Sequence, residues 1–202
     1  MKHVINFFAL IGFVLSISLS YLTFTISTNL SDEDKLLISK VETLDKKAIP
    51  TYINMFKKVL NTGDAAKGMV LNYPVESGVT NEDVAESISA LAEEHNMILT
   101  GDVKMFTNDK AVDKEIKHAR IFSVCSLTIA KQFLVFSPEF GGFMPCRIML
   151  VEFGDGSRVL YTMDLALMIY GGKTLPPKML ELSLTVKNAM EDIPSRAAIG
   201  DF

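Results

Sequence analysis

The chain has 202 residues, 49% of them hydrophobic and 22% charged, which is enough apolar material for one ordinary domain and argues against general disorder. A net charge of −4 and a pI near 5.4 leave no basic excess to neutralise phosphates, which argues against a nucleic-acid binder. Mean hydropathy is +0.26, high for a water-exposed chain, and one segment supplies much of it.

That segment is Val4–Ile26, 23 residues without a charge. As a helix it covers about 34 Å, against about 30 Å for the hydrocarbon core of a bilayer. Lys2 precedes it and Asp32, Glu33 and Asp34 follow, so the positive-inside rule puts the N-terminus in the cytoplasm. The expectation is a retained anchor over residues 1–30 in the lipid of the inner membrane, with everything after it in the periplasm. A cleaved signal peptide is the competing reading, but its apolar core is usually about 7–15 residues and this run has no clear Ala-x-Ala ending. Gly12, Ser16 and Ser20 recur every four residues. Such a stripe is either tolerated in a lone anchor or lets a partner helix of a larger membrane assembly approach closely.

Ser31, with Asp34 three positions on, approaches a capping box, and Leu37, Val41 and Leu44 share a helical face. Pro50 interrupts. A second helical piece resumes with Tyr52, Ile53, Phe56, Val59 and Leu60 and stops at the breaker Asn61–Asp64. The two pieces form a helical neck over residues 31–63, leaving 64–202 as the main domain.

In that domain a strand is expected over Gly68–Val75. A helix capped by Thr80 or Asn81 follows, with Val84, Ile88 and Leu91 on its apolar face, and then a strand over Met97–Phe106. Asp109–Ala119 reads as a charged helix. Ile121, Val124, Cys125, Thr128 and Ile129 fit a helical stripe, and Gln132–Phe136 reads as a strand. Ser137–Pro145 is a loop containing Gly141-Gly142, and Leu175–Asp192 is a closing helix with prolines at its start. The order predicts an α+β fold in which helices cover an antiparallel or mixed sheet.

Between the loop and the closing helix, Asp155-Gly156 signals a hairpin. A two-residue turn there sets Arg147 opposite Asp164 and Cys146 on a face with Ile148, Leu150, Tyr161 and Met163. Arg147 then serves either in a cross-strand ion pair or as a guanidinium fork for an anionic ligand beside Gly141 and Gly142. Cys125 and Cys146 are the two cysteines, both pointing inward on this reading. Three roles stay open: a structural disulfide suited to an oxidising compartment, two buried thiols, or a redox or ligand-handling pair. The spacing of the three histidines and two cysteines gives no metal motif, so neither metal nor cofactor is expected, and no residue nominates itself as catalytic.

The stretches Val75–Phe106, Phe133–Asp164 and Leu175–Glu191 resemble the family called domain of unknown function 302. The likeness rests on Met144, Pro145, Arg147 and Ile148, followed by Glu152, Gly154 or Gly156, and Val159–Tyr161, and it would cover residues 64–202. Where the family has Gly-Asn-Pro before the glycine-rich loop, this chain has Phe136-Ser137-Pro138. The resemblance implies a compact α/β domain able to associate as a homodimer, without an established activity. Taken together, the residues predict a single-pass membrane protein with a non-catalytic accessory or binding domain, a subunit of a larger complex through its N-terminal helix. The alternative is a periplasmic redox or small-ligand-handling protein using Cys125, Cys146 and the Gly141-Gly142 loop.

Overall fold

The computed structural model describes residues 16–18, 20, 21 and 31–202. Ser16, Ser20 and their described neighbours are helical; the rest of the expected span Val4–Ile26, Gly12 included, lies outside the described residues. Among the described residues no helix is long and apolar enough to cross a membrane. The chain divides into two compact units, one ending at Leu44 and the other running Asp45–Phe202.

In the first unit, α1 (Asp32–Ser39) begins with the expected capping box: Ser31 Oγ accepts from the Asp34 N–H, and Asp34 accepts from the Ser31 N–H. A short 3₁₀ turn, Lys40–Thr43, ends it.

The second unit opens with α2 (Ala48–Thr62), which includes Pro50 where an interruption was expected. Pro50 sits in the first turn, where backbone N–H groups have no intrahelical partner to lose. Gly63 closes the helix at φ 66°, a left-handed conformation that glycine adopts without steric cost. Asp64 caps α3 (Ala65–Met69), and β1 (Val70–Pro74) follows. Thr80 then caps α4 (Asn81–Glu94) in a second capping box with Asp83. The apolar stripe of α4, Val84, Ile88 and Leu91, is fully buried, contributing about 1.5–3 kcal/mol per side chain.

β2 (Ile98–Thr107) and β3 (Ile116–Cys125) form a hairpin over the stretch expected to start as a charged helix. Asn108–Glu115 is a turn. β3 is a central strand between β2 and β4 (Cys146–Phe153); its buried residues, His118, Ala119, Phe122 and Val124, follow no clean period along the whole strand, which is why a helical stripe could be read into it. Between β3 and β4 come α5 (Leu127–Phe136), where a strand was expected, and a 3₁₀ turn, Pro138–Phe143. β5 (Arg158–Met163), α6 (Ala166–Tyr170) and α7 (Pro177–Ala197) complete the unit.

The fold is α+β, a five-stranded antiparallel sheet in the order β1-β5-β4-β3-β2. Phe122, Val124, Ile148, Leu150 and Leu160 point from one face of the sheet into a core shared with Ile88 and Leu91 of α4 and Met190 and Ile193 of α7. β2 carries two register shifts, between Leu99 and Gly101 and between Lys104 and Phe106, and β1 ends in Pro74.

The β4–β5 hairpin forms as expected, with a register displaced by one residue. Leu150 pairs with Leu160 and Glu152 with Arg158. The connection is a three-residue loop: the Gly156 N–H donates to Phe153 O, the Phe153 N–H donates to Ser157 O, and Gly156 sits at φ 81°. A type I turn followed by a left-handed glycine suits this loop as well as Asp-Gly suits the tighter one. The shift removes Asp164 from Arg147; Asp164 instead accepts from Lys58 Nζ of α2 at 3.3 Å.

Candidate functional site

β3 ends at Cys125 and β4 begins at Cys146. The chain between them leaves the sheet as α5 and returns through the 3₁₀ turn, so the two cysteines are the hinges of a helical flap. The Phe133 and Phe140 rings meet edge to face at 4.9 Å and 60°, tying the outgoing helix to the returning turn. Phe133 also packs on Met179 and Leu182 of α7.

Beneath the flap is a cavity of about 70 Å³, lined by both cysteines, Met97, Ile129, Phe133, Phe140, Phe143, Met168 and Val186. With scarcely a polar atom in its wall, it can hold apolar matter and offers water few partners. Burial pushes the Cys146 thiol up to about 11, with nearby Cys125 adding to the rise and Arg147 opposing it. Burial raises Cys125 as well. At neutral pH both are therefore thiols, not thiolates.

Both cysteines are free, so the bridge, one of the three roles left open, is not formed. Cys146 faces Val124 across the ladder, so the two thiols are not cross-strand partners although both border the cavity. Cys125 itself lies at the end of a strand, not on a helix. Gly141 sits in the 3₁₀ turn against α5, where an added Cβ would come 3.0 Å from Leu134 Cδ2, and Gly142 faces open space. Phe140 and Phe143, which flank the two glycines, supply cavity wall. Arg147 follows Cys146 but points the other way; it is exposed, its Cα partner is Ser123, and its carbonyl accepts from Thr162 Oγ1 at 2.9 Å. The structure thus brings Cys125, Cys146 and the glycine turn together and leaves Arg147 outside. Ser16 and Ser20 are exposed helical residues, and nothing described bears on Gly12.

A second, larger space of about 850 Å³ lies between α2 and the flap. Its floor is Met55, Met69, Met163 and Leu167, and its polar groups include Lys57, Lys58, Glu139 and Asp164. It shares Phe140, Phe143 and Met168 with the cavity, so these three side chains form a common wall. Sequence reading missed the groove. Its signal was the apolar side chains at the C-terminal end of β5 and in α6, which look like ordinary core until α2 is placed beside them.

A buried polar cluster was missed too. Glu152, only 5% exposed, accepts from Asn81 Nδ2 at 2.7 Å, Lys117 Nζ at 3.1 Å and Arg158 Nη2 at 3.3 Å. Arg158 Nε also donates to Asn81 Oδ1 at 2.9 Å, so the start of α4 is bonded to the hairpin. Burial pushes the Glu152 carboxyl up, but the hydrogen bonds from Asn81 and Lys117 and the charges of Arg158 and Lys117 outweigh it and leave it below the usual carboxylate range. With every partner a donor already engaged, the cluster acts as a clamp between elements.

A family model described as "Domain of unknown function DUF302" matches residues 73–193. Among solved structures the chain is similar to an uncharacterized conserved protein DUF302 from Bacillus stearothermophilus, at 14% identity and a TM-score of 0.48, over 63% of this chain and 97% of that one. No curated protein matches the chain.

Proposed function

The chain belongs to the family of the domain of unknown function DUF302, and on that footing we propose that its domain is a non-catalytic binding module for a small apolar ligand, held at a membrane by the uncharged run Val4–Ile26. The observation that carries the reading is the shared wall of Phe140, Phe143 and Met168 between an apolar groove and an apolar cavity. A ligand body lying in the groove would press its end against these side chains, with the cavity behind them as room into which they yield. Pockets lined mainly by apolar and aromatic side chains with a few polar groups at the edge are the usual form of small-molecule sites. Redox or nucleophilic use of the cysteines is disfavoured, because the thiolate is the reactive species and both thiols are raised. A place as accessory subunit of a larger inner-membrane complex, its domain in the periplasm, is supported by the Gly12, Ser16, Ser20 spacing and the charges flanking the run.

The test is methionine methyl NMR on the full chain in nanodiscs, titrated with 1-decanol as an apolar probe. Met69, Met163 and Met168 should shift saturably, while the core methyl of Met190 stays still. No saturable shift, or a uniform drift of all methyls, would sink the proposal.

A further inference from the structure

α2 leaves an apolar stripe uncovered. Its inner side, Ala48, Thr51, Met55 and Val59, is buried or half-buried against the domain. About 100° round the helix, Ile49, Ile53, Phe56 and Leu60 follow one another at steps of four, three and four and are 45–67% exposed. Four large apolar side chains in one row are not the scattered exposure normal on a protein surface.

The charges say what covers them. From Lys46 to Gly63 the chain holds four lysines and no acid, within a protein of net charge −4. Two of the lysines are occupied inside the domain: Lys58 pairs with Asp164 at 3.3 Å, and Lys47 Nζ lies 4.5 Å from the centre of the Tyr170 ring. Lys46 and Lys57 are exposed; the helical repeat puts Lys57 along the outer border of the stripe, and Lys46 lies in the turn just before the helix, at the stripe's N-terminal end. An apolar row bordered by lysines is the pattern of a helix lying in the interface of an anionic bilayer, apolar side down and ammonium groups at the phosphates.

We propose that the Ile49–Ile53–Phe56–Leu60 stripe of α2, with Lys46 and Lys57 at its edge, docks the domain onto an anionic lipid surface. The rest of the chain is net acidic, so the lysines favour the orientation that puts this helix against the surface, and the apolar row holds it. A second copy of the chain fits less well. Pairing two such helices would set lysines beside lysines with no acid on α2 to answer them, and three turns of one helix fall well short of the roughly 800 Å² per partner of a standard interface. The inference stands whether or not the groove binds a ligand.

The chain contains no tryptophan, so Phe56→Trp gives a single indole in the full-length protein, excited apart from the tyrosines at the red edge of the absorption band. In nanodiscs containing phosphatidylglycerol, its emission should move to the blue and be quenched by brominated acyl chains. In pure phosphatidylcholine discs or at about 1 M salt the effect should fade, and each of Lys46→Ala and Lys57→Ala should lower the docked-to-free ratio about fivefold. Quenching by aqueous iodide, with none by brominated chains in either disc, would overturn the proposal. Protection from both quenchers, growing with the protein-to-lipid ratio, would overturn it in favour of a second copy. Ile53→Trp repeats the measurement should the first variant misfold, with circular dichroism as the check.

Discussion

Glu152 of β4 stands directly across the hairpin from Arg158 of β5, and Arg158 Nη2 donates to Glu152 Oε1 at 3.3 Å. That pairing follows from the three-residue loop. With a two-residue loop Glu152 would face Val159, and a buried carboxylate would lose one of its donors.

Replacing Glu152 by Gln should therefore destabilise the domain by about 2–3 kcal/mol at pH 7, since it leaves the cations of Lys117 and Arg158 without their counter-charge. The folded carboxyl lies below the usual range, so its contribution is present above the unfolded value of about 4.3 and is lost as pH falls through the lower folded value. Urea unfolding at pH 7, 5 and 3 should show wild type and Glu152→Gln converging only at the acid end. A constant gap across that range would mean the loss is one of packing.

The Cys146 thiol gives the opposite slope. Raised to about 11 in the folded chain, it ionises first in the unfolded one, near 8.5, so stability should fall as pH rises between those values. Cys146→Val should flatten that fall. A thiol reagent at pH 7 should modify native Cys146 far more slowly than the urea-unfolded thiol; equal rates would place the side chain in solvent.

At the hairpin tip, Gly156 holds φ 81°, and Gly156→Ala should cost about 1 kcal/mol from the left-handed conformation. Gly154→Ala should cost more, because an added Cβ would come 2.6 Å from the Ala111 backbone, which has little room to retreat. Urea midpoints for the two variants test the order; Gly154→Ala as the milder change would mean that the Ala111 turn moves freely.

Phe133 is 5% exposed and seals the flap to α7. Phe133→Ala should cost about 3–5 kcal/mol and leave a void continuous with the cysteine cavity. Methionine methyl spectra should then report a longer alcohol binding more tightly than to wild type. Unchanged selectivity would show that the flap collapses into the space.

The sequence made the helix ends legible where the chemistry is local. The Ser31–Asp34 capping box, a cap at Thr80 or Asn81 and a stop within Asn61–Asp64 each act within one turn, and the structure has them at Ser31, Thr80 and Gly63. The stretch from Asp109 to Phe136 went the other way because its outcome is decided by distant partners. Ile116–Cys125 becomes strand by sitting between β2 and β4, and the apolar run Gln132–Phe136 becomes helix by lying against α7 and the 3₁₀ turn. The meeting of both cysteines with the glycine turn was half visible, since the residues were named but their distance in space was not. Arg147 was misplaced by a single step of register, which is all it takes to change a strand residue's partner. The groove was out of reach, because one of its walls, α2, lies about a hundred residues before the other.

The sheet ends on both sides in strands poor at accepting a newcomer. β1 finishes in Pro74, which has no N–H to offer, and β2 is kinked by two bulges with Lys104 between them. Copies at high local concentration could therefore jostle edge against edge without zipping into a continuous ribbon. Polymerisation, the hazard of dense packing, is blocked at the two strands where it would start.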